Sequence, residues 1–135
     1  MARWLVKEDP ECYTFAAFLR EKRTQWDGVH NALALRHLRA MRKGDEGFYY
    51  SSGHEKAIVG LFRVDGAPRP DPEDDRGSWR VPLRVVRPLR RPIPLATLRR
   101  DARLVDWELI RISRLAVMPV PDAVWRAVLG YEDEA

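Results

Sequence analysis

The spacing of apolar residues predicts helices in four segments of the chain. Ala34, Leu38 and Met41 recur at i, i+4 and i+7, which is typical of an amphipathic helix. Asn31 stands at the expected N-cap of this helix, and Gly44 follows its end. The same reasoning predicts three shorter helices, at residues 13–22, with Thr14 as the cap, at 95–104 and at 122–129.

Runs of β-branched and aromatic residues predict strands between these helices. Gly60, in the middle of an apolar run, indicates a bulge or a close approach of another group. Pro82 and Pro88 place their strand at a sheet edge or in bends. Asp27-Gly28 is a turn, and residues 66–78 form a loop rich in proline, glycine and acids. The predicted strands are residues 3–7, 46–51, 56–64, 79–89 and 114–119.

The order of these elements indicates the fold class. Strands and short helices are mixed without a regular βαβ alternation, which favours an α+β fold with about five or six strands closed into a small barrel. The length of 135 residues favours one domain, spanning residues 1–135. Apolar residues make up 45% of the chain, which is enough for a hydrophobic core.

Composition also limits the cellular locations in which we expect the protein to act. No apolar run approaches the length of a membrane span, and the apolar run at the N-terminus is too short for a signal peptide. Cys12 is the single cysteine, so an intrachain disulfide is excluded and a reducing cytoplasm is the simplest location. We therefore expect a cytoplasmic, monomeric protein without a membrane partner.

The charges are unevenly distributed along the chain. The net charge is +4, and seven arginines lie between Arg84 and Arg103 against one acid, Asp101. Acidic residues collect at 71–75 and at the C-terminus. The arginine-rich segment is either a solvated face or a surface that contacts phosphates, and the guanidinium fork suits the second role.

Motifs for catalysis and for metal binding are absent from the sequence. There is no phosphate-binding glycine loop and no GxSxG nucleophile motif. The three histidines are not spaced as ligands, and one cysteine does not complete a zinc site. We expect no metal, no cofactor and no enzymatic activity. An enzyme would need a general base, for which His30, Glu8 and Asp27 are the candidates near the predicted site.

Aromatic residues at loop junctions carry the functional prediction. Trp26 and Trp79 each stand beside a turn or loop among polar neighbours. They either cover the edge of the core or provide flat faces on which a nucleobase stacks. Asn31 supplies a carboxamide that caps its helix and that is also able to read the edge of a base.

Seven motifs follow one another in the order and spacing of a known family. They are RWLVKEDP at 3–10, WDGVHNALALRHLRAMRKGD at 26–45, FYYSS at 48–52, KAIVG at 56–60, RPDPE at 69–73, VRPLRRPIPLATL at 86–98 and RISRLAVMPVPDAVW at 111–125. On these motifs, which cover nearly the entire chain, the sequence resembles the EVE-domain proteins, a PUA-like family related to the YTH and ASCH domains.

The resemblance implies a PUA-like small mixed β-barrel with short helices around it. It also implies a pocket that holds a flipped, modified nucleobase without catalysis. Trp26 and Tyr50 match pocket walls, with Trp79 as a third side, and the polar residues of the pocket are Asn31, Ser52 and Ser113. The predicted pocket mouth or phosphate contacts are Lys7, His30, Arg84, Arg87, Arg90, Arg111 and Arg114.

The sequence departs from the family at several of these positions. His30 replaces an arginine, and Glu8 replaces a serine of the first motif. The other replacements are Ala32, Leu33, Ser51, Ile112, Ala116 and Met118. These changes make the site less polar and alter its charge, so they bear on which ligand is bound.

Three functions are compatible with this pattern. The first is a module that recognises a modified cytosine or adenine in DNA. The second is an RNA-binding module of the PUA-like type that acts on tRNA or rRNA. The third is an enzyme acting on modified nucleotides, which no motif supports.

Overall fold

The computed structural model describes residues 1–133, which form one mixed sheet with five short α-helices. The strands are β1 (Arg3–Glu8), β2 (Arg23–Trp26), β3 (Glu46–Ser51), β4 (Ala57–Val64), β5 (Arg69–Pro70), β6 (Trp79–Pro94) and β7 (Val117–Pro119). The helices are α1 (Phe15–Glu21), α2 (Ala32–Ala40), α3 (Leu95–Arg99), α4 (Glu108–Arg111) and α5 (Asp122–Glu132), with a 3₁₀ turn at Ala102–Leu104.

The sheet has the strand order β2-β6-β4-β3-β1-β7, and the two-residue β5 pairs with β6. The pair of β1 and β3 is parallel, and the other pairs are antiparallel. The sheet is curled into a half-barrel with the helices packed around it, which confirms the α+β, PUA-like prediction. Because β1 and β3 run in the same direction, both end at the same edge of the sheet.

Each face of the sheet carries its own aromatic contacts. On one face Phe48 stacks on Trp125 of α5, with 4.1 Å between the ring centroids. On the other face Tyr49 contacts Phe15 of α1 at 5.0 Å and Trp26 of β2 at 5.7 Å. These contacts follow from the alternation of neighbouring side chains along β3, since Phe48 and Tyr49 point to opposite faces.

The predicted helix starts agree with the structure. Asn31 caps α2 by accepting a hydrogen bond from the backbone N–H of Ala34 at 3.0 Å. Thr14 caps α1 in the same way through Ala17 N at 3.0 Å. The helix predicted at 95–104 is instead α3 followed by the 3₁₀ turn, because the side chain of Asp101 caps a new turn at Arg103 N.

Three elements were not predicted, namely β2, β5 and α4. Each has four residues or fewer, and β2 has exposed polar side chains that give it no clear apolar alternation. Tertiary pairing forms them: β2 is a strand because residues 23–26 pair antiparallel with β6. The half-barrel therefore has seven strands, one more than the upper number predicted from the sequence.

Gly60 and the prolines of β6 shape the middle of the sheet. A Cβ at Gly60 would lie 2.0 Å from the ring of Phe15, so the predicted close approach is confirmed. The strand register shifts beside Gly60, which pairs with Pro88. β6 lies between β2 and β4, so of the two alternatives for its prolines the sheet edge is excluded. The irregular pairing beside Pro88 agrees with the other alternative, a bend. None of the helices within residues 1–133 has the length and apolar character needed to cross a membrane.

Candidate functional site

The candidate site lies where β1 and β3 end side by side. Lys7 pairs with Tyr50 and Glu8 with Ser51 in the parallel register. Because side chains alternate along a strand, Lys7 and Tyr50 point to one face and Glu8 to the other. The same strand ends supply side chains to two neighbouring hollows.

The first hollow, which we call the cationic cavity, has a volume of about 420 Å³. This volume lies within the range of small-ligand pockets in proteins, about 300–1,000 Å³. Its apolar lining includes Tyr50, Leu95 and Leu109. Its lining residues are Lys7, Glu8, Asp9, Tyr50, Ser52, Gly53, Lys56, Leu95, Arg99, Leu109, Ser113, Arg114 and Ala116.

Lys7 is fixed within the cationic cavity. Its Nζ donates a hydrogen bond to the carbonyl of Ser113 at 2.8 Å and lies 5.6 Å from the ring centroid of Tyr50. Burial lowers the pKa of Lys7, and the nearby charge of Arg99 lowers it further. Burial also raises the pKa of Tyr50. The cavity thus combines one buried aromatic ring with a cluster of cations, which suits an anionic group.

The second hollow, which we call the tryptophan cleft, has a volume of about 320 Å³. Trp26 is 5% exposed, and its ring meets those of Tyr49 and Tyr13 edge to face at 5.7 Å and 6.5 Å. The indole therefore belongs to the core and contributes to the cleft wall as well. The lining residues are Glu8, Cys12, Tyr13, Thr24, Gln25, Trp26 and Asp27.

Glu8 lines both hollows, at their common boundary. Its Oε1 accepts a hydrogen bond from the backbone N–H of Asp9 at 2.9 Å. Burial raises the pKa of Glu8; the hydrogen bond from Asp9 opposes this rise, and the charges of Asp9 and Asp27 add to it. Burial likewise raises the pKa of Asp27, whose acidic neighbour Asp71 contributes in the same direction.

The structure brings together five of the residues predicted for the site. Tyr50, Ser52, Ser113, Lys7 and Arg114 all line the cationic cavity. Ser52 donates a hydrogen bond from Oγ to the carbonyl of Glu8 at 3.1 Å, so it also ties β3 to the end of β1. Trp26 lies apart from these five, in the tryptophan cleft, and Glu8 is the residue that the two hollows share.

Three other predicted residues lie outside both hollows. Trp79 faces α2, where the guanidinium of Arg39 lies 4.2 Å from its ring centroid. Asn31 directs its carboxamide to the start of α2. The Nε2 of His30 lies 2.7 Å from a carboxylate oxygen of Asp74, in an acidic hollow that Asp27 also lines.

The arginine-rich segment is partly neutralised by acidic residues of the same chain. Arg87 forms two hydrogen bonds with the buried carboxylate of Glu132, at 2.6 Å and 2.9 Å. Arg90 donates its backbone N–H to the same carboxylate at 2.7 Å, and Arg103 pairs with Asp101 at 2.6 Å. Fewer guanidinium groups are therefore available to phosphates than the sequence count suggests.

The remaining predicted arginines are exposed. Arg84 lies opposite Arg23 in the pairing of β6 with β2. Arg111 donates from Nε to the carbonyl of Asp106 at 2.8 Å. Within residues 1–133, no ion pair involves Arg84, Arg99, Arg111 or Arg114.

Sequence reasoning did not place Lys56 and Arg99 in the site. Lys56 precedes β4 and Arg99 ends α3, and both line the cationic cavity. Lys56 opens the KAIVG motif, so its position within that motif was a usable signal. Arg99 was counted among the arginines, but only the tertiary structure brings it to the same cavity as Tyr50. Among the described residues, no group of three or more His, Cys, Asp or Glu side chains is arranged to hold a metal ion.

The curled sheet and the hollows at its open edge define a domain of the PUA-like class. The EVE domain model matches residues 2–131, and the chain therefore belongs to the EVE domain family. A curated relative is human thymocyte nuclear protein 1, which is 28% identical over 168 aligned positions that cover 98% of this chain and 75% of the relative.

Solved structures agree over the full length of the chain. Rpa0253 from Rhodopseudomonas palustris is 35% identical, with a TM-score of 0.91, covering 100% of this chain and 97% of that one. Human THYN1 protein in complex with 5-methylcytosine-containing DNA is 25% identical, with a TM-score of 0.89, covering 100% and 99%. A yeast YTH domain from Zygosaccharomyces rouxii, at 10% identity and a TM-score of 0.61 over 99% and 85%, shares the fold.

Proposed function

We propose that this protein is a non-catalytic module that binds DNA by accepting one modified base, of the 5-methylcytosine kind, in the tryptophan cleft. The observation that supports this most is the match over 100% of the chain to human THYN1, which was solved with 5-methylcytosine-containing DNA. The cleft beside Trp26 adds a local reason, because a flipped base needs an aromatic wall and polar groups at its edge.

The energy of such binding comes mainly from stacking. An aromatic wall contributes about 1–3 kcal/mol per stacked base. Burying one methyl group adds about 0.8 kcal/mol, which is the expected advantage of a methylated base over the unmodified one. Preference for the modification is therefore about fourfold from burial of the methyl group.

The cationic cavity serves the phosphates that flank the flipped base. Lys56, Arg99 and Arg114 lie on its lining, and all three are exposed. Within the described part of the chain none of them forms an ion pair. A base in the tryptophan cleft and a phosphate in the cationic cavity would meet at Glu8, which lines both hollows.

The test is a titration of two DNA duplexes that differ only in one 5-methyl group on cytosine. We expect the wild-type protein to bind the methylated duplex more tightly. We expect Trp26→Phe to lose most of this preference, because the smaller ring leaves the methyl group less buried. Trp79→Phe is the matched control, since Trp79 faces Arg39 outside both hollows. Thermal unfolding of both variants separates a binding effect from loss of the fold.

Two outcomes would contradict the proposal. If the wild-type protein binds both duplexes with equal affinity, it does not recognise the modified base. If Trp79→Phe loses the preference and Trp26→Phe keeps it, the base-binding pocket lies beside Trp79 and α2 instead. An RNA of the same sequence, included in the same titration, tests the alternative of an RNA-binding module, and incubation with a modified nucleoside tests for turnover.

A further inference from the structure

We propose that Glu8 is a specificity-determining residue, whose carboxyl group holds one proton and pairs with a base edge that presents a ring nitrogen acceptor beside an amino donor. Cytosine offers N3 and N4–H₂ in this arrangement. This inference rests on the proposed function, because it assumes that the base lies in the tryptophan cleft.

The position of Glu8 supports this role. It is the last residue of β1, and it lines the tryptophan cleft together with Trp26 and Tyr13. A base that stacks on the cleft wall therefore brings one edge to this carboxyl group.

The hydrogen bonding of Glu8 fixes which oxygen accepts and which donates. Oε1 already accepts the backbone N–H of Asp9 at 2.9 Å. An oxygen that accepts a hydrogen bond is the better carbonyl oxygen, so a bound proton resides on Oε2. Oε2–H then donates to cytosine N3, while the second lone pair of Oε1 accepts from N4–H₂. Guanine, which presents two donors on this edge, would require the ionised carboxylate instead.

The charges around Glu8 favour the protonated form. Within residues 1–133 no cation forms an ion pair with it, and Lys7, its neighbour in the chain, donates to Ser113. Burial and the acids Asp9 and Asp27 raise the pKa of Glu8. The titratable or charged groups that line the two hollows with it are Lys7, Asp9, Cys12, Tyr13, Asp27, Tyr50, Lys56, Arg99 and Arg114, and Tyr49 lies next to it.

Binding through this pair has a defined pH dependence. The raised pKa means that Glu8 binds its proton at a higher pH than a free glutamate does. Affinity for 5-methylcytosine is full below this pKa, and it falls as pH rises through it. The decrease approaches tenfold per pH unit while a single proton must be taken up for binding.

The experiment compares three variants across a pH series, with the 5-methylcytosine duplex as the probe. Glu8→Gln carries a permanent N–H donor beside a carbonyl, so we expect wild-type affinity at low pH and little change as pH rises. Glu8→Ala leaves the base edge unpaired and should bind about 10- to 100-fold more weakly at low pH. Glu46→Gln is the control. It removes the same charge at the start of β3, away from the strand end that pairs with Glu8, and it should follow the wild-type pH profile.

The outcomes distinguish this inference from the proposed function. If wild type and Glu8→Gln lose affinity in parallel as pH rises, or if Glu8→Ala binds as well as wild type, Glu8 does not read the base. If the wild-type protein does not prefer the methylated duplex at any pH, the proposed function itself fails. Thermal unfolding of each variant at each pH shows whether the fold is retained.

Discussion

Asn31 has two possible roles that only the structure separates. A carboxamide at this position is able to cap a helix or to read a base, and both roles use the same side-chain oxygen. In the structure this oxygen accepts the N–H of Ala34 at 3.0 Å, and the side chain lies outside both hollows. The local capping role therefore accounts for the residue.

Substitution of Asn31 provides a test at the scale of one residue. Asn31→Ala should lower the free energy of unfolding by about 1 kcal/mol, because α2 loses its N-cap. Asn31→Asp should retain the cap, since aspartate accepts the same hydrogen bond and suits the positive end of the helix. Chemical denaturation measures both effects. DNA affinity should be the same in both variants, and a loss of base preference in Asn31→Asp would return this residue to the binding site.

At the scale of elements, α5 is attached to β6 through one buried carboxylate. Glu132, at the end of α5, is 7% exposed and accepts hydrogen bonds from the guanidinium of Arg87 and the backbone of Arg90. The hydrogen bonds from Arg87 lower the pKa of Glu132 to about 2, while burial opposes this shift. The C-terminal helix is thus joined to the strand that carries four of the seven arginines of the arginine-rich segment.

The lowered pKa of Glu132 predicts how stability depends on pH. Since the folded pKa lies below that of the unfolded chain, the stabilisation is present above about pH 4.5 and is lost as pH falls towards 2. Near pH 3 the loss should be about 2 kcal/mol. Glu132→Gln should lack this part of the acid destabilisation in denaturant titrations near pH 6 and near pH 3. Parallel acid profiles for the two proteins would show that the pair contributes nothing to stability.

At the scale of the whole molecule, the charge pattern in space differs from the pattern in sequence. Arg87, Arg90 and Arg103 are paired with acids of the same chain. Arg99 and Arg114, which are far apart in sequence, lie together on the cationic cavity. Under the proposed function, the cavity therefore brings Arg114 and Lys56 together with Arg99, an unpaired arginine of the segment, as positive surface available to DNA phosphates.

The salt dependence of DNA binding tests this arrangement. The slope of log affinity against log salt concentration changes by about 0.9 for each phosphate contact. Arg99→Ala and Arg114→Ala should each reduce the slope by about this amount. Arg87→Ala, which removes a paired guanidinium, should leave the slope nearly unchanged. If only Arg87→Ala reduces the slope of log affinity against log salt concentration, the phosphates lie along β6 instead.

Features of the fold that depend on local chemistry were predictable from the amino-acid sequence. The N-caps of α1 and α2 were predictable from the sequence, because an N-cap hydrogen bond joins residues three apart in the chain. The aromatic-rich strand β3 and the close approach at Gly60 were predictable for similar reasons. The order of the motifs was sufficient to indicate the family and, with it, the PUA-like fold.

Tertiary structure alone decided how the predicted site residues are grouped. Trp26 and Tyr50 lie in different hollows because Tyr49, not Tyr50, shares the face of Trp26. That outcome depends on strand register and on the parallel pairing of β1 with β3, which join residues more than 40 positions apart. The ion pairs of Arg87 and Arg90 likewise depend on where α5 docks. Such long-range pairings are set by packing of the whole fold, so a local pattern does not encode them.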